Sequence, residues 1–365
     1  MITISLCMIV KNEEPVLARI LDQMKDIVEE IIIVDTGSED KTREIAEGYT
    51  KKVYDYPWQQ DFSAARNYAC SKAEMDYWMW LDADDVVPEE EREKILRLKK
   101  ELDPDTDVVM MKYQTGFDKE GNVTFSYYRE RLLKNDRSFF WQGKVHEAVT
   151  PRGNIRYLPI AIQHRKLGKG DPDRNLNIYE NMLGHGEKLD ARQQFYYARE
   201  LYYHQRYGHA IKIFHEFLEN PGGWVENKIE ACRQLAECYE HIGEQKERLE
   251  VLLNSFVFDI PRAETCCEIG RAFLDKKEYK KAVFWYRQAL AAVPGEDTGA
   301  FIQKDCYGFL PAIQLCVCYD RLGEDEKALE FHKKSMEYKP DSPAVRQNEM
   351  YFAEKAAASG GRHGR

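Results

Sequence analysis

Asp82, Asp84 and Asp85 directly follow the apolar run Tyr77-Trp78-Met79-Trp80-Leu81. That run reads as a fully buried strand. Open α/β sheets bind their ligands outside the C-terminal ends of strands. Three carboxylates this close repel one another unless a cation sits among them. Oxygen-only ligands suit Mg²⁺ or Mn²⁺, and these ions usually partner phosphates. The cluster therefore reads as a metal–diphosphate site. Taken alone, an acidic turn capping the next helix explains it better, because Pro88-Glu89-Glu90-Glu91 follows. The segments upstream reverse that preference.

Three of them place polar groups after a strand or at a helix start. They are Cys7-Met8-Ile9-Val10-Lys11-Asn12-Glu13-Glu14, then Val34-Asp35-Thr36-Gly37-Ser38-Glu39-Asp40, then Asp61-Phe62-Ser63-Ala64-Ala65-Arg66-Asn67. Downstream, Tyr128 to Lys134 carries Glu130, and Trp141-Gln142-Gly143-Lys144-Val145-His146-Glu147 carries a second charged cluster. His164 follows the strand-like Ile160-Ala161-Ile162-Gln163. The basic, glycine-bearing stretch Lys166 to Asn175 reads equally as a lid and as a linker.

The elements that must position these residues alternate. Ile2–Val10 is a strand, and Asn12 is placed to cap the helix after it, with Glu13 and Glu14 in its first turn. Ile31 to Val34 is a β-branched strand ending at Asp35, and Ser38 is placed to cap a helix over 39–47. A short strand near Val53, a helix from Ser63 to Ala73 and the Tyr77 run complete a βαβ series, which implies a mostly parallel sheet. A charged helix near 89–102, a strand over 107–113 and a hairpin around Asp118 to Asn122 follow.

From about Asn175 the rhythm becomes helix after helix. Ala198, Tyr207, Ala210, Phe214 and Pro221 recur as Gly270, Tyr279, Ala282, Tyr286 and Pro294, then as Gly323, Ala328, His332 and Pro340. A weaker copy covers 225–258. Ala210 and Ala282 are 72 positions apart, about twice a helical-hairpin repeat of ~34. Ala282 and Ala328 are 46 apart, which places an insertion loop near 294–299. These stripes are packing, not chemistry. The boundaries expected are 1–170, 171–355 and a disordered tail over 356–365.

The formal charge is -10, from 53 basic and 63 acidic residues. That argues against nucleic acid or an anionic membrane as partner. The apolar N-terminal run is short and lacks a small-residue cleavage site, so it reads as a strand rather than a signal peptide. No other run approaches a membrane span. The nine cysteines form no C-x-x-C pair. They read as reduced core residues of a cytoplasmic protein.

In order and spacing, the four segments ending at Asp85 resemble the nucleotide half of family 2 glycosyltransferases of the GT-A fold. The resemblance covers about the first 90 residues. With the tetratricopeptide-like helices behind it, the chain is similar in architecture to sublancin-type peptide S-glycosyltransferases. The resemblance implies an α/β GT-A domain followed by an all-α repeat domain, and it implies roles. Ile9, Val10 and Glu13 (or Glu14) would border the nucleotide. Asp35 would bond the uracil edge of a UDP-sugar, and Arg66 would face base or diphosphate. Asp82 and Asp84 match the D-x-D, with Asp84 the metal ligand, Asp82 on ribose or metal and Asp85 sharing either role. His164 would add a late metal contact. Gly143-Lys144-Val145-His146-Glu147 resembles an acceptor-side motif, making Glu147 the general base and His146 its orienting group or a sugar contact. Glu130 is the reserve base, since the Glu-Asp dipeptide of many members is absent.

The function expected is inverting, Mn²⁺- or Mg²⁺-dependent transfer of a hexose from a UDP-sugar to a peptide or protein side chain. The alternatives are a saccharide or lipid-linked acceptor with repeats used for assembly, and a nucleotide-binding scaffold without catalysis. A homodimer through the repeats is a further use of them.

Overall fold

The structure is a computed structural model that describes residues 1–119, 121–167, 171–295 and 301–360. The chain divides into two compact units, Met1–Tyr196 and Tyr197–Arg365. The helix Arg174–Gly184 groups with the first unit, although the sequence rhythm changes ahead of it.

The first unit is built on strands β1 (Ile4–Val10), β2 (Glu30–Asp35), β3 (Val53–Asp55), β4 (Tyr77–Trp80), β5 (Asp85–Val86), β6 (Val108–Phe117), β7 (Val123–Lys134) and, after the small pair β8 (Trp141–Gln142) and β9 (Ala148–Val149), β10 (Ile155–His164). The large sheet has the order β3-β2-β1-β4-β7-β6-β10-β5. Strands β3, β2, β1 and β4 run parallel, as the βαβ rhythm requires. Strand β7 is antiparallel to both β4 and β6, while β10 is parallel to β6.

Helices cover both faces, so β1 is apolar along its whole length. Its Leu6 and Met8 pack with α1 (Leu17–Met24) and α4 (Glu89–Glu101), whereas Cys7 packs on the opposite face with Trp78, Trp80, Trp141 and α3 (Phe62–Ser71). Helix α4 opens with Glu89, Glu90 and Glu91 and closes with Lys99 and Lys100, in the sense its dipole favours.

Two helix starts differ from expectation. Helix α1 begins at Leu17, not after Asn12, and α2 spans Thr42–Glu47, not 39–47. Asn12 and Ser38 bond each other's loops instead of capping their own helices. Asp61 does cap α3, accepting from the Ala64 N–H at 2.9 Å. Of the expected hairpin turn, Glu120 lies outside the described residues, as do 168–170 of the basic loop.

In the second unit the helices run on from α7 (Tyr207–Glu219) through α8 (Val225–Ile242), α9 (Gln245–Asn254), α10 (Ala263–Asp275), α11 (Tyr279–Ala291), α12 (Phe309–Arg321) and α13 (Asp325–Tyr338) to α14 (Pro343–Gly360). The repeated positions are its core. Ala210, Ala282 and Ala328 are fully buried, and a Cβ on Gly270 would meet the Tyr286 ring at 2.9 Å. Residues 356–360 of the expected disordered tail continue α14, while 361–365 lie outside the described residues. So do 296–299 of the insertion loop. Among the described residues, no helix is long and apolar enough to cross a membrane. All nine cysteines are free, and every one except Cys70 is buried.

Candidate active site

The loops after β1, β2 and β4 leave the same edge of the sheet, because their strands are parallel and in register: Val10 pairs with Asp35, and Cys7 with Trp80. The first two loops are stitched together. The Val10 carbonyl accepts from both the N–H and hydroxyl of Thr36, at 2.9 and 3.1 Å. Asn12, at φ +55°, accepts from the Glu39 N–H at 2.8 Å and donates its own N–H to Ser38 Oγ at 3.0 Å. Asp35 is buried and turns back on its own chain, its Oδ1 accepting from the N–H groups of Gly37 and Ser38 at 3.0 and 2.8 Å. That leaves Oδ2 for another donor. Ile9 and Val10 are ladder residues, so what they offer a ligand is a backbone edge.

Asp84 and His164 meet because β5 pairs with β10, setting His164 opposite Asp85. His164 Nδ1 lies 3.3 Å from Asp84 Oδ1 and 2.9 Å from the Tyr113 hydroxyl. Asp84, Asp85 and His164 each offer a ligand atom, all within 4.8 Å of one another. The bonds to Asp84 and Asp85 push the histidine up to about 10, so a metal ion arriving here displaces a proton.

Asp85 is held from within the protein. Its side chain has no exposed surface. It accepts from Tyr113 OH at 2.9 Å, from Arg131 at 3.2 Å and from the Asp82 N–H at 3.0 Å. It is the anchor of the acidic loop rather than a surface for a nucleotide. Asp82 faces a cation of the protein itself. It pairs with Arg66 at 2.7 Å, and although burial opposes its charge, Arg66 and Arg131 hold it down at about 2.

Arg66 also donates from Nε to Glu147 Oε1 at 2.6 Å. The residue bonded to Glu147 is Arg66, not His146. His146, at φ +51°, stacks its ring on Tyr196 at 4.2 Å, with Tyr179 beyond it. Glu130, the reserve base, is buried and held by Arg129 at 3.0 Å.

Glu13 completes the site. Burial and the Asp84, Asp82 and Asp40 carboxylates push it up to about 7, against the pull of Lys166. Acid is thus in surplus around Asp84, which suits a divalent cation.

Three positioning groups carried no signal in the sequence. Arg131 sits in a β-bulge, skipped where Val109 pairs with Leu132 and Met110 with Glu130. The bulge turns it inward to Asp85, between the rings of Trp80 and Tyr113 at 3.7 and 4.2 Å. Arg19 of α1 donates to the Asp84 carbonyl at 3.0 Å. Trp141 exchanges two hydrogen bonds with Asn67.

Residues 5–155 match the family model Glycosyl transferase family 2, and residues 263–294 match a tetratricopeptide repeat model. The first unit carries a family 2 glycosyltransferase domain. A TPR repeat-containing protein of Synechococcus elongatus is 37% identical to this chain over 151 residues, 41% of this chain and 36% of that one. The SPbeta prophage-derived glycosyltransferase SunS of Bacillus subtilis is 28% identical over 239 residues, 60% of this chain and 54% of that protein. The alignments thus span about a third to a half of these relatives. The crystal structure of S. aureus TarS 1–349 is similar with a TM-score of 0.36 and 15% identity, over 71% of this chain and 88% of that one.

Proposed function

We propose that the protein is a metal-dependent, inverting glycosyltransferase that moves a hexose from a UDP-sugar to a peptide or protein side chain. The observation that carries this reading is one of arrangement. Asp84 and His164 offer a mixed oxygen–nitrogen ligand set beside surplus acid, and Glu147 stands across Arg66 from Asp82. The donor atoms fit a divalent cation of the Mn²⁺ or Mg²⁺ kind, with diphosphate oxygens completing its shell. When bound, the ion neutralises charge on the leaving diphosphate.

The protein's own residues do the rest. Asp35 Oδ2 accepts from the uracil N–H while Oδ1 holds the turn. Asp82, fixed by Arg66, faces the ribose. Among the described residues Glu147 Oε2 carries no hydrogen bond, so it is the atom that takes the acceptor's proton. The oxygen or sulfur nucleophile then bonds to the anomeric carbon as the bond to UDP breaks. One displacement opposite the leaving group inverts that centre. The helical repeats support a peptide acceptor, since stacked repeats offer a concave surface for extended chains.

The test is UDP release from a panel of UDP-sugars with Mn²⁺ present, wild type against Asp84→Ala. Slow hydrolysis of one donor, lost in the variant, supports the reading. No turnover of any donor, together with no Mn²⁺-dependent UDP binding by calorimetry, overturns it.

A further inference from the structure

We propose that Arg66 is a positioning residue that holds the acceptor-side Glu147 and the donor-side Asp82 in one frame, rather than a cation that contacts the nucleotide. The inference rests on the reaction proposed above and says how its two carboxylates are kept in place.

Four observations carry it. Both ion pairs are short, 2.7 Å from Nη2 to Asp82 and 2.6 Å from Nε to Glu147. They leave from different nitrogens of one planar group, so the guanidinium fixes the direction of each carboxylate as well as its distance. The group is dry: Arg66 is 8% exposed. Its carbon lies 5.1 Å from the Trp80 ring centre and 4.8 Å from that of Trp141. Reaching out to a diphosphate would break two ion pairs away from water, which is costly.

The backbone around it is tied as well. Asn67, the next residue of α3, donates to the Trp141 carbonyl at 2.9 Å and accepts from the Trp141 N–H at 2.8 Å. Phe62 N–H, in the first turn of α3, donates to the Lys144 carbonyl at 2.8 Å. The stretch from Trp141 to Glu147 therefore moves with α3. Arg66 passes that rigidity on to the acidic loop through Asp82. A base 81 positions away in sequence is thereby held in register with the donor loop.

The consequence is specific. Removing Arg66 misplaces Glu147 and loosens Asp82 while taking away no direct contact of its own with the nucleotide, so the chemical step suffers more than binding does. A misplacement of about 1 Å costs roughly 10²-fold in rate.

The experiment compares the full chain with Arg66→Gln, Arg66→Lys, Glu147→Gln and the double variant Arg66→Gln/Glu147→Gln. UDP affinity is read by calorimetry with Mn²⁺, and donor hydrolysis as kcat and KM. Arg66→Gln is expected to lose roughly 10²-fold in kcat with a clearly smaller loss of UDP affinity, the share that runs through Asp82. Arg66→Lys should recover only part of the loss, because a point charge cannot hold two carboxylates at fixed angles. The double variant should be little slower than Glu147→Gln alone, since Arg66 acts on the chemical step chiefly through that residue. It leaves no charged Glu147 unpaired, so it decides the matter even where Arg66→Gln fails to fold.

UDP affinity that falls in step with kcat would make Arg66 a nucleotide contact and overturn the proposal. So would losses that multiply in the double variant, or full activity in Arg66→Lys. A wild type that binds no UDP and turns over no donor is a distinct result, and it takes the underlying reaction down with the proposal.

Discussion

Carboxylates crowd both units, and the company they keep differs between the repeats and the edge of the sheet. In the repeats, Glu226 pairs with Arg262 at 2.8 Å, Glu230 with Arg233 at 2.7 Å and Glu240 with Arg271 at 2.6 Å. Glu264, pushed up by burial, accepts from the Gln303 N–H at 2.7 Å and from Tyr307 OH at 2.9 Å. These acids are satisfied from within. At the edge of the sheet, Asp85 is satisfied in the same way, by Arg131 and Tyr113. Asp84 has only His164, and among the described residues the Glu13 carboxylate has no ion pair. Like charges left together raise the energy of the folded state, and such surplus persists where an outside cation or ligand relieves it. Acid density alone therefore did not mark the site. The crowding of Glu13 by Asp84 and Asp82 does.

That contrast can be broken at several points. The largest expected effect is on Asp84→Ala, where Mn²⁺-dependent UDP release should fall at least ~10³-fold, by analogy with the loss of a single charge-stabilising group. Glu230→Ala in the repeats should leave release from the same donor within about twofold, as a group outside the reacting centre does. Equal losses in both assays would erase the distinction.

Asp85→Asn should act on stability instead. It strands the buried Arg131 charge, and breaking such a pair costs about 3–5 kcal/mol. Denaturant unfolding followed by tryptophan fluorescence should show the drop, because Trp80 stacks on Arg131. A variant as stable as wild type would return Asp85 to the ligand set.

Gly270→Ala tests the packed repeat. Its Cβ would press on the Tyr286 ring, and overpacking costs about 1–3 kcal/mol. Calorimetric melting should show a lower transition, with donor hydrolysis at low temperature retained. Loss of hydrolysis there would mean that the repeats do more than pack.

The smallest effect is pH-dependent. Glu13 titrates at about 7 in the folded protein, above its ordinary 4.5. A carboxyl raised in this way costs stability in full above about 7 and nothing once pH is below the unfolded value. Glu13→Gln should therefore stabilise the protein at pH 8, by on the order of 1 kcal/mol after allowance for its partial exposure, and leave it unchanged at pH 4. Melting temperatures at the two pH values check this. A gain that is the same at both would show that ionisation is not the cause.

Much of the first unit was legible because its signals are local. Uninterrupted apolar runs such as Ile31 to Val34 mean strands covered on both faces, and parallel strands bring their C-terminal loops to one edge. That logic sends the loops that carry Asp35, Asp82 and Asp84 to one edge of the sheet. The repeat stripe was legible for the same reason, since Ala210, Ala282 and Ala328 recur at the spacing of a helical pair. Helix starts were less legible. Asn12 and Ser38 have the right chemistry for caps, but each was taken by the other's loop.

By itself, the sequence determined which runs form strands, which edge collects the acids and that helical repeats follow, because those depend on periodicity and chain direction. Only the tertiary structure decided the partnerships. The β5–β10 register put His164 against Asp84, the bulge in β7 turned Arg131 onto Asp85, and α3 carried Arg66 between Asp82 and Glu147. Each of those contacts joins segments far apart in the chain. Their geometry is set by strand register and packing, which residue types and spacing do not encode locally.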